Sequence, residues 1–226
     1  MPKKLIIAID GPAASGKSTT ARMLAQKLGY IYLDTGAMYR ACALYSMRNG
    51  VRLEDDNAIQ KMLQSMDIRI EASESGNRVL LNGEDVSGLI RTVEVSILAS
   101  AISALPPVRH RMVELQRSIA GNGGFVLDGR DIGTFVFPHA DLKFFLVADD
   151  VERAKRRLKD LAAQGVSTDL DTVLHDLLER DKNDRGRDLA PLVAATDAIR
   201  IDTSLLGIAE QVDLLYSHAI RLLGDA

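Results

Sequence analysis

Five consecutive apolar residues, Leu5-Ile6-Ile7-Ala8-Ile9, run into Asp10 and then into Gly11-Pro12-Ala13-Ala14-Ser15-Gly16-Lys17-Ser18. The run has the length and β-branched character of a strand buried on both faces, the setting of a parallel sheet. The eight residues after it match G-x-x-x-x-G-K-[ST] in full. Ser18 to Leu28 then carries good helix formers and stops at Gly29. Strand, glycine-bearing loop and helix in that order build an anion nest: backbone N–H groups wrap the charge, and the helix N-terminus adds its dipole. Gly11 and Gly16 permit backbone shapes that side chains block. The pattern predicts that Gly11, Pro12, Ala13, Ala14, Ser15, Gly16, Lys17, Ser18 and Thr19 surround a nucleotide polyphosphate. Lys17 would neutralise its β- and γ-phosphates, and the Ser18 hydroxyl would ligate Mg²⁺. No N-K-x-D guanine-reading motif occurs, so ATP is the expected nucleotide.

The rest of the chain alternates short apolar strands with helices. Strands are predicted at Tyr30–Leu33, at Phe125-Val126-Leu127 leading to Asp128, at Leu142–Val147 and at Ala198–Ile201. Helices are predicted at 36–47, 58–66, 92–104, 107–120, 150–163, 169–182 and 208–223. The texture changes between 67 and 90. Ile68-Arg69-Ile70-Glu71 alternates, Ser73 to Asn77 is turn-rich, and Val79–Leu81 leads into Asn82-Gly83. That is the pattern of a hairpin or small antiparallel sheet, inserted into an α/β domain. The expectation is one domain over 1–226: a five-stranded parallel sheet flanked by helices, with a small antiparallel insert at about 67–90.

Three further segments suggest a second phosphate site. Asp34-Thr35-Gly36-Ala37-Met38-Tyr39-Arg40 follows the second strand, and Asp128-Gly129-Arg130-Asp131 follows the third. Open α/β sheets bind ligands beyond the carboxyl ends of their strands. The third segment, Arg180-Asp181-Lys182-Asn183-Asp184-Arg185-Gly186-Arg187, comes late in the chain. Arginine outnumbers lysine 19 to 9, and its planar fork grips phosphate in a way lysine cannot. Lys17 and several arginines of these segments are the candidate catalytic groups, acting by charge neutralisation. Asp128, an acid at a strand end, is placed near Mg²⁺, reached through water.

Composition narrows the classes. Net charge is -3, which argues against a nucleic-acid polymer as partner. No apolar run approaches the ~20 residues that span a bilayer, and the five-residue run at the start is too short for a signal peptide. The four histidines form no metal spacing, and the single cysteine, Cys42, lies in an apolar helical stretch. A cytoplasmic monomer acting on small nucleotides is expected. Three alternatives remain: a kinase for another small acceptor, an ATP-binding switch without the acceptor arginines, and a nucleic-acid-dependent ATPase. Acceptor preference separates the first, and ATP turnover that no monophosphate affects marks the second.

Taken together these stretches resemble bacterial cytidylate kinases. The resemblance is carried by Ile9 through Thr19, Leu33 through Arg40, Gly83-Glu84-Asp85-Val86-Ser87 with Ile90-Arg91, Asp128 through Thr134, Val136-Phe137-Pro138, and Glu179-Arg180-Asp181 with Ala190-Pro191-Leu192. It implies a nucleoside-monophosphate kinase core with a mobile lid, transferring the γ-phosphate of ATP to CMP or dCMP. By resemblance Arg40, Arg130 and Arg187 hold the acceptor phosphate and Thr35 contributes its hydroxyl. The resemblance selects Arg130 and Arg187 among the candidate catalytic arginines. Ser100, Arg109 and Asp131 read cytosine, and Arg180 and Asp184 face the ribose. The lid falls at about 153–165, with Arg153, Arg156 and Arg157 as its candidate arginines.

Overall fold

A computed structural model describes residues 4–73 and 76–224. The main sheet has five strands: β1 (Ile6–Asp10), β2 (Ile31–Asp34), β6 (Phe125–Gly129), β7 (Leu142–Val147) and β8 (Ile199–Asp202), in the order β2-β6-β1-β7-β8. A separate antiparallel sheet joins β3 (Ile68–Ser73), β4 (Gly76–Leu81) and β5 (Glu84–Asp85) in sequence order. The chain divides into two compact units. One runs to Tyr30 and resumes at Gly123, and the other spans Ile31–Asn122.

In the first unit β1 pairs in parallel with β6 and β7, and β7 with β8. Ile7, Ala8 and Ile9 are fully buried, as are Val126, Leu127 and Leu146. That two-sided burial is why these strands read as unbroken apolar runs rather than alternating ones. The register sets Ile9 beside Asp128 and Asp10 beside Gly129, so two loop-forming strand ends emerge together. Helix α1 (Lys17–Leu28) follows β1 and ends at Gly29, whose left-handed φ of 67° favours glycine. The helices α6 (Asp150–Ala163), α7 (Leu170–Arg185) and α8 (Ile208–Gly224) complete the unit. Asp149 caps α6 and Asp169 caps α7, each carboxylate accepting backbone N–H groups of the first turn.

The second unit contains α2 (Thr35–Arg48), α3 (Asp56–Ser65), the small sheet, a 3₁₀ turn at Leu89–Arg91, α4 (Val93–Ile102) and α5 (Pro106–Ala120). Helix α2 packs on α4, and α3 on α5. Met38, Cys42, Ile59, Met62, Ile102, Val108 and Met112 are buried there. Burial pushes the Cys42 thiol up to about 12, consistent with a packing role. The β4–β5 turn is Asn82-Gly83, with φ of 50° and 85°. These are the two positive angles of a type I′ hairpin. The antiparallel strands cover 68–85, within the expected insert, and part of its turn-rich segment (residues 74 and 75) lies outside the described residues.

Candidate active site

The glycine-bearing loop Gly11–Gly16 hangs between β1 and α1. Gly11, with φ of 153°, has no room for a side chain, because a Cβ there would sit 2.2 Å from the Leu146 carbonyl oxygen. Gly16 and Ala14 also take positive φ, 88° and 58°. A nest that turns its N–H groups inward must lodge its carbonyls elsewhere. Here buried side chains take them. Lys17 Nζ donates to the Pro12 carbonyl (2.9 Å), Arg153 Nη1 to Ala13 (3.0 Å) and the Thr203 hydroxyl to Ser15 (2.9 Å). Ser15 is fully buried, and its hydroxyl has no hydrogen-bond partner among the described residues. An unpaired polar atom inside such a loop suits a phosphate oxygen. Burial pulls the Lys17 ammonium down to about 7, with the Arg130 guanidinium adding to the effect. A bound polyphosphate would restore its charge.

Two carboxylates stand at the strand ends beside this loop. The Ser18 hydroxyl donates to Asp128 Oδ2 at 2.5 Å. One hydroxyl and one carboxylate, both hard oxygen donors, form a set that fits Mg²⁺ held jointly by protein and phosphate. Asp10 is buried and accepts from the backbone of Ile132 (2.8 Å) and Gly133 (2.7 Å). Those residues open a π-helical turn, Ile132–Val136, directly after Asp131. Burial pushes the Asp10 carboxyl up to about 7, although both backbone donors oppose the shift.

Three arginines of this unit, Arg130, Arg153 and Arg187, meet acids of α7. Arg130 Nε donates to Asp184 Oδ2 (2.8 Å) and Arg187 Nη2 to Asp184 Oδ1 (2.5 Å). One nearly buried carboxylate thus holds two guanidinium groups in place. Burial would lift the Asp184 carboxyl, but Arg130, Arg187 and Arg180 together hold it below its ordinary value. Burial works against the Arg130 charge too, and the Asp184 carboxylate outweighs it. Arg153 is among the largest fully buried side chains and pairs with Asp181 on α7 (2.7 Å). Arg156 turns to Thr203, donating to its hydroxyl and carbonyl.

The remaining predicted residues lie in the second unit. Asp34 caps α2 and also accepts from Arg40 Nη2 (2.7 Å). Thr35, buried, opens that helix. Arg109 is buried on α5, donates to the Ser103 carbonyl (2.9 Å) and lies over the Tyr39 ring, 5.8 Å from its centre. Ser100 is half-buried on α4. Asp131 is buried in the first unit.

Residues 7–220 match the family model of cytidylate kinase. A cytidylate kinase of Geobacillus sp. (strain WCH70) is 48% identical over 94% of this chain and 95% of its own length. One from Carboxydothermus hydrogenoformans is 50% identical over 91% and 93%. The chain belongs to the cytidylate kinase family. A solved structure of an uncharacterized protein from Eubacterium ventriosum ATCC 27560 superposes with a TM-score of 0.50, at 13% identity over 99% of this chain and 100% of that one. At that identity it speaks to the fold alone.

For a cytidylate kinase family member, several residues at this site carried no sequence motif of their own. Asp10 sits at the end of the apolar run, directly before Gly11, and an acid at that buried position was a signal available to read. Thr203 and Gln211 have no such signal. Gln211 accepts from the Thr20 hydroxyl (2.8 Å) across 191 residues of sequence, a pairing that only the fold creates.

Proposed function

We infer that this chain transfers the γ-phosphate of ATP to CMP or dCMP, giving ADP and CDP or dCDP. Family membership over nearly the whole chain carries the reading. An oxygen of the acceptor's α-phosphate forms the new bond to the γ-phosphorus, and the bond to the β,γ-bridging oxygen breaks. Near neutral pH a phosphate monoester is largely deprotonated, so the attacking oxygen needs no general base. The task left to the protein is positioning and charge neutralisation.

The loop Gly11–Thr19 cradles the ATP phosphates, and Lys17 releases the Pro12 carbonyl to reach them. Ser18 and Asp128 would hold Mg²⁺, which neutralises and orients the β- and γ-phosphates when bound. Arg130 and Arg187, set by Asp184, face the charge that builds during transfer, and Arg180 lies in the same electrostatic group. Arg40 and Thr35 bind the acceptor phosphate. Ser100, Arg109 and Asp131 read cytosine, whose amino group and ring nitrogen call for an acceptor and a donor. Arg180 and Asp184 meet the ribose. The segment 67–90 is the monophosphate-side insert, and 153–165, at the α6 end of the α6–α7 pair, is the lid that shuts out water. The protein works as a cytoplasmic monomer, drawing on the intracellular ATP pool.

The test offers CMP, dCMP, UMP, AMP and dTMP singly with ATP and Mg²⁺ and follows ADP. Strong responses to CMP and dCMP alone, with UMP weak, fit the reading. A response to another monophosphate keeps the chemistry but removes Ser100, Arg109 and Asp131 from base recognition.

A further inference from the structure

Arg153 and Asp181 form an ion pair from which water is shut out on both sides. Arg153 is 1% exposed and Asp181 is 0% exposed, with 2.7 Å between Arg153 Nη2 and Asp181 Oδ2. Arg153 comes from the first turn of α6 and Asp181 from the last third of α7. A fully buried ion pair contributes little net stability compared with apolar residues of the same shape. The geometry around the pair supplies a different reason for it. The same guanidinium donates through Nη1 to the carbonyl of Ala13 in the donor loop and through Nη2 to Asp150 (2.6 Å). Ala13 also packs with Ala154, Leu161, Val173 and Leu177 of the two helices, and Ala14 lies against that cluster. Asp181 directly follows Arg180 and precedes Asp184 by three residues, less than one helical turn, on the helix whose end leads to Arg187.

We propose that Arg153 is a positioning residue for ATP: its planar fork joins the Ala13 carbonyl to Asp181 and thereby sets the donor loop at a fixed distance from the helix that carries Arg180 and Asp184. The proposal rests on the reading of Gly11–Thr19 as the ATP loop. With the Ala13 carbonyl held outward, the strained Ala14 peptide keeps its turn and the loop stays shaped for phosphate before the nucleotide arrives. One side chain thus makes directed hydrogen bonds to Ala13 and Asp150 and an ion pair with Asp181. A lysine point charge cannot supply that geometry.

The double variant Arg153→Met/Asp181→Leu removes both charges while keeping the volume, so it separates folding from positioning. Arg153→Lys keeps the buried charge and loses the fork. Affinity for MgATP is titrated without any acceptor, beside thermal unfolding. The proposal predicts a thermal midpoint for the double variant near that of the wild type, with MgATP affinity at least ~10-fold weaker in both variants. ATP affinity within twofold of wild type in a folded variant overturns it. Should only one variant fold, that one decides. Should neither fold, the pair is a folding element and the proposal falls. A wild-type chain that binds ATP yet transfers nothing to CMP removes the acceptor reading and leaves this test standing, whereas one that binds no ATP removes the donor-loop reading with it.

Discussion

The two units place their charges differently. In the unit that holds the Gly11–Gly16 loop, Arg153–Asp181, Arg130–Asp184 and Arg187–Asp184 are largely or wholly removed from water. In the Ile31–Asn122 unit, the pairs around the small sheet lie in solvent. Arg48 meets Glu84 through two hydrogen bonds, with side chains 40% and 51% exposed, and Arg78 meets Asp85 at comparable exposure. Exposed pairs form and break at little cost. Buried ones are costly to break and hold one geometry. The contrast separates arginines of α6, α7 and the β6 end that are held in one geometry from ion pairs of the small sheet that can rearrange.

The largest expected effect breaks that contrast at its most buried point. Arg153→Met alone leaves buried Asp181 with only the exposed Arg185, 3.9 Å away, and lowers unfolding free energy by about 3–5 kcal/mol, measured by denaturant titration. A change within error would mean that the Arg153–Asp181 contact does not hold the two helices together.

Next comes pH. Asp10, raised to about 7 by burial, holds its proton more tightly folded than unfolded. The stability it contributes is therefore fully present below about pH 4 and is lost as pH rises through 7, at no more than about 1.4 kcal/mol per pH unit. Asp10→Asn lacks this titration. The wild-type-minus-variant difference in unfolding free energy falls from pH 4 to 7 and then levels, and a flat difference would refute the shift.

Smaller again, Arg130→Ala lowers kcat/KM for CMP by at least ~2 kcal/mol of transition-state stabilisation. Unchanged kcat/KM removes Arg130 from the site. The smallest effect is Arg48→Ala, whose thermal midpoint stays indistinguishable from wild type because its partner is solvated. A clear loss would show that the small sheet depends on its ion pairs.

Much of the fold was legible because its signals are local. The run before Gly11 declares a buried strand, Asn82-Gly83 declares a hairpin turn, and Gly29 declares a helix end. The short strand β5 escaped because two exposed acids, Glu84 and Asp85, carry no strand pattern. The π-helical turn at Ile132–Val136 escaped for another reason. Asp10, 122 residues upstream of Ile132, holds its first N–H groups, and no local preference announces that. Arg153 teaches the same lesson. By sequence Arg153 is one of three candidate lid arginines with Arg156 and Arg157, and nothing local announces that Asp181 and the Ala13 carbonyl hold it buried. The arginine-rich segment 180–187 was visible as charge, but the sharing of Asp184 by Arg130 and Arg187 needed the fold.

Transfer to CMP is distinguished from hydrolysis by where the γ-phosphorus goes. ATP labelled at the γ-phosphate is incubated with the chain, Mg²⁺ and CMP, and the products are separated. Transfer to CMP puts the label in CDP, one equivalent for each ADP formed. Label in inorganic phosphate alone, at a rate indifferent to CMP, would contradict it.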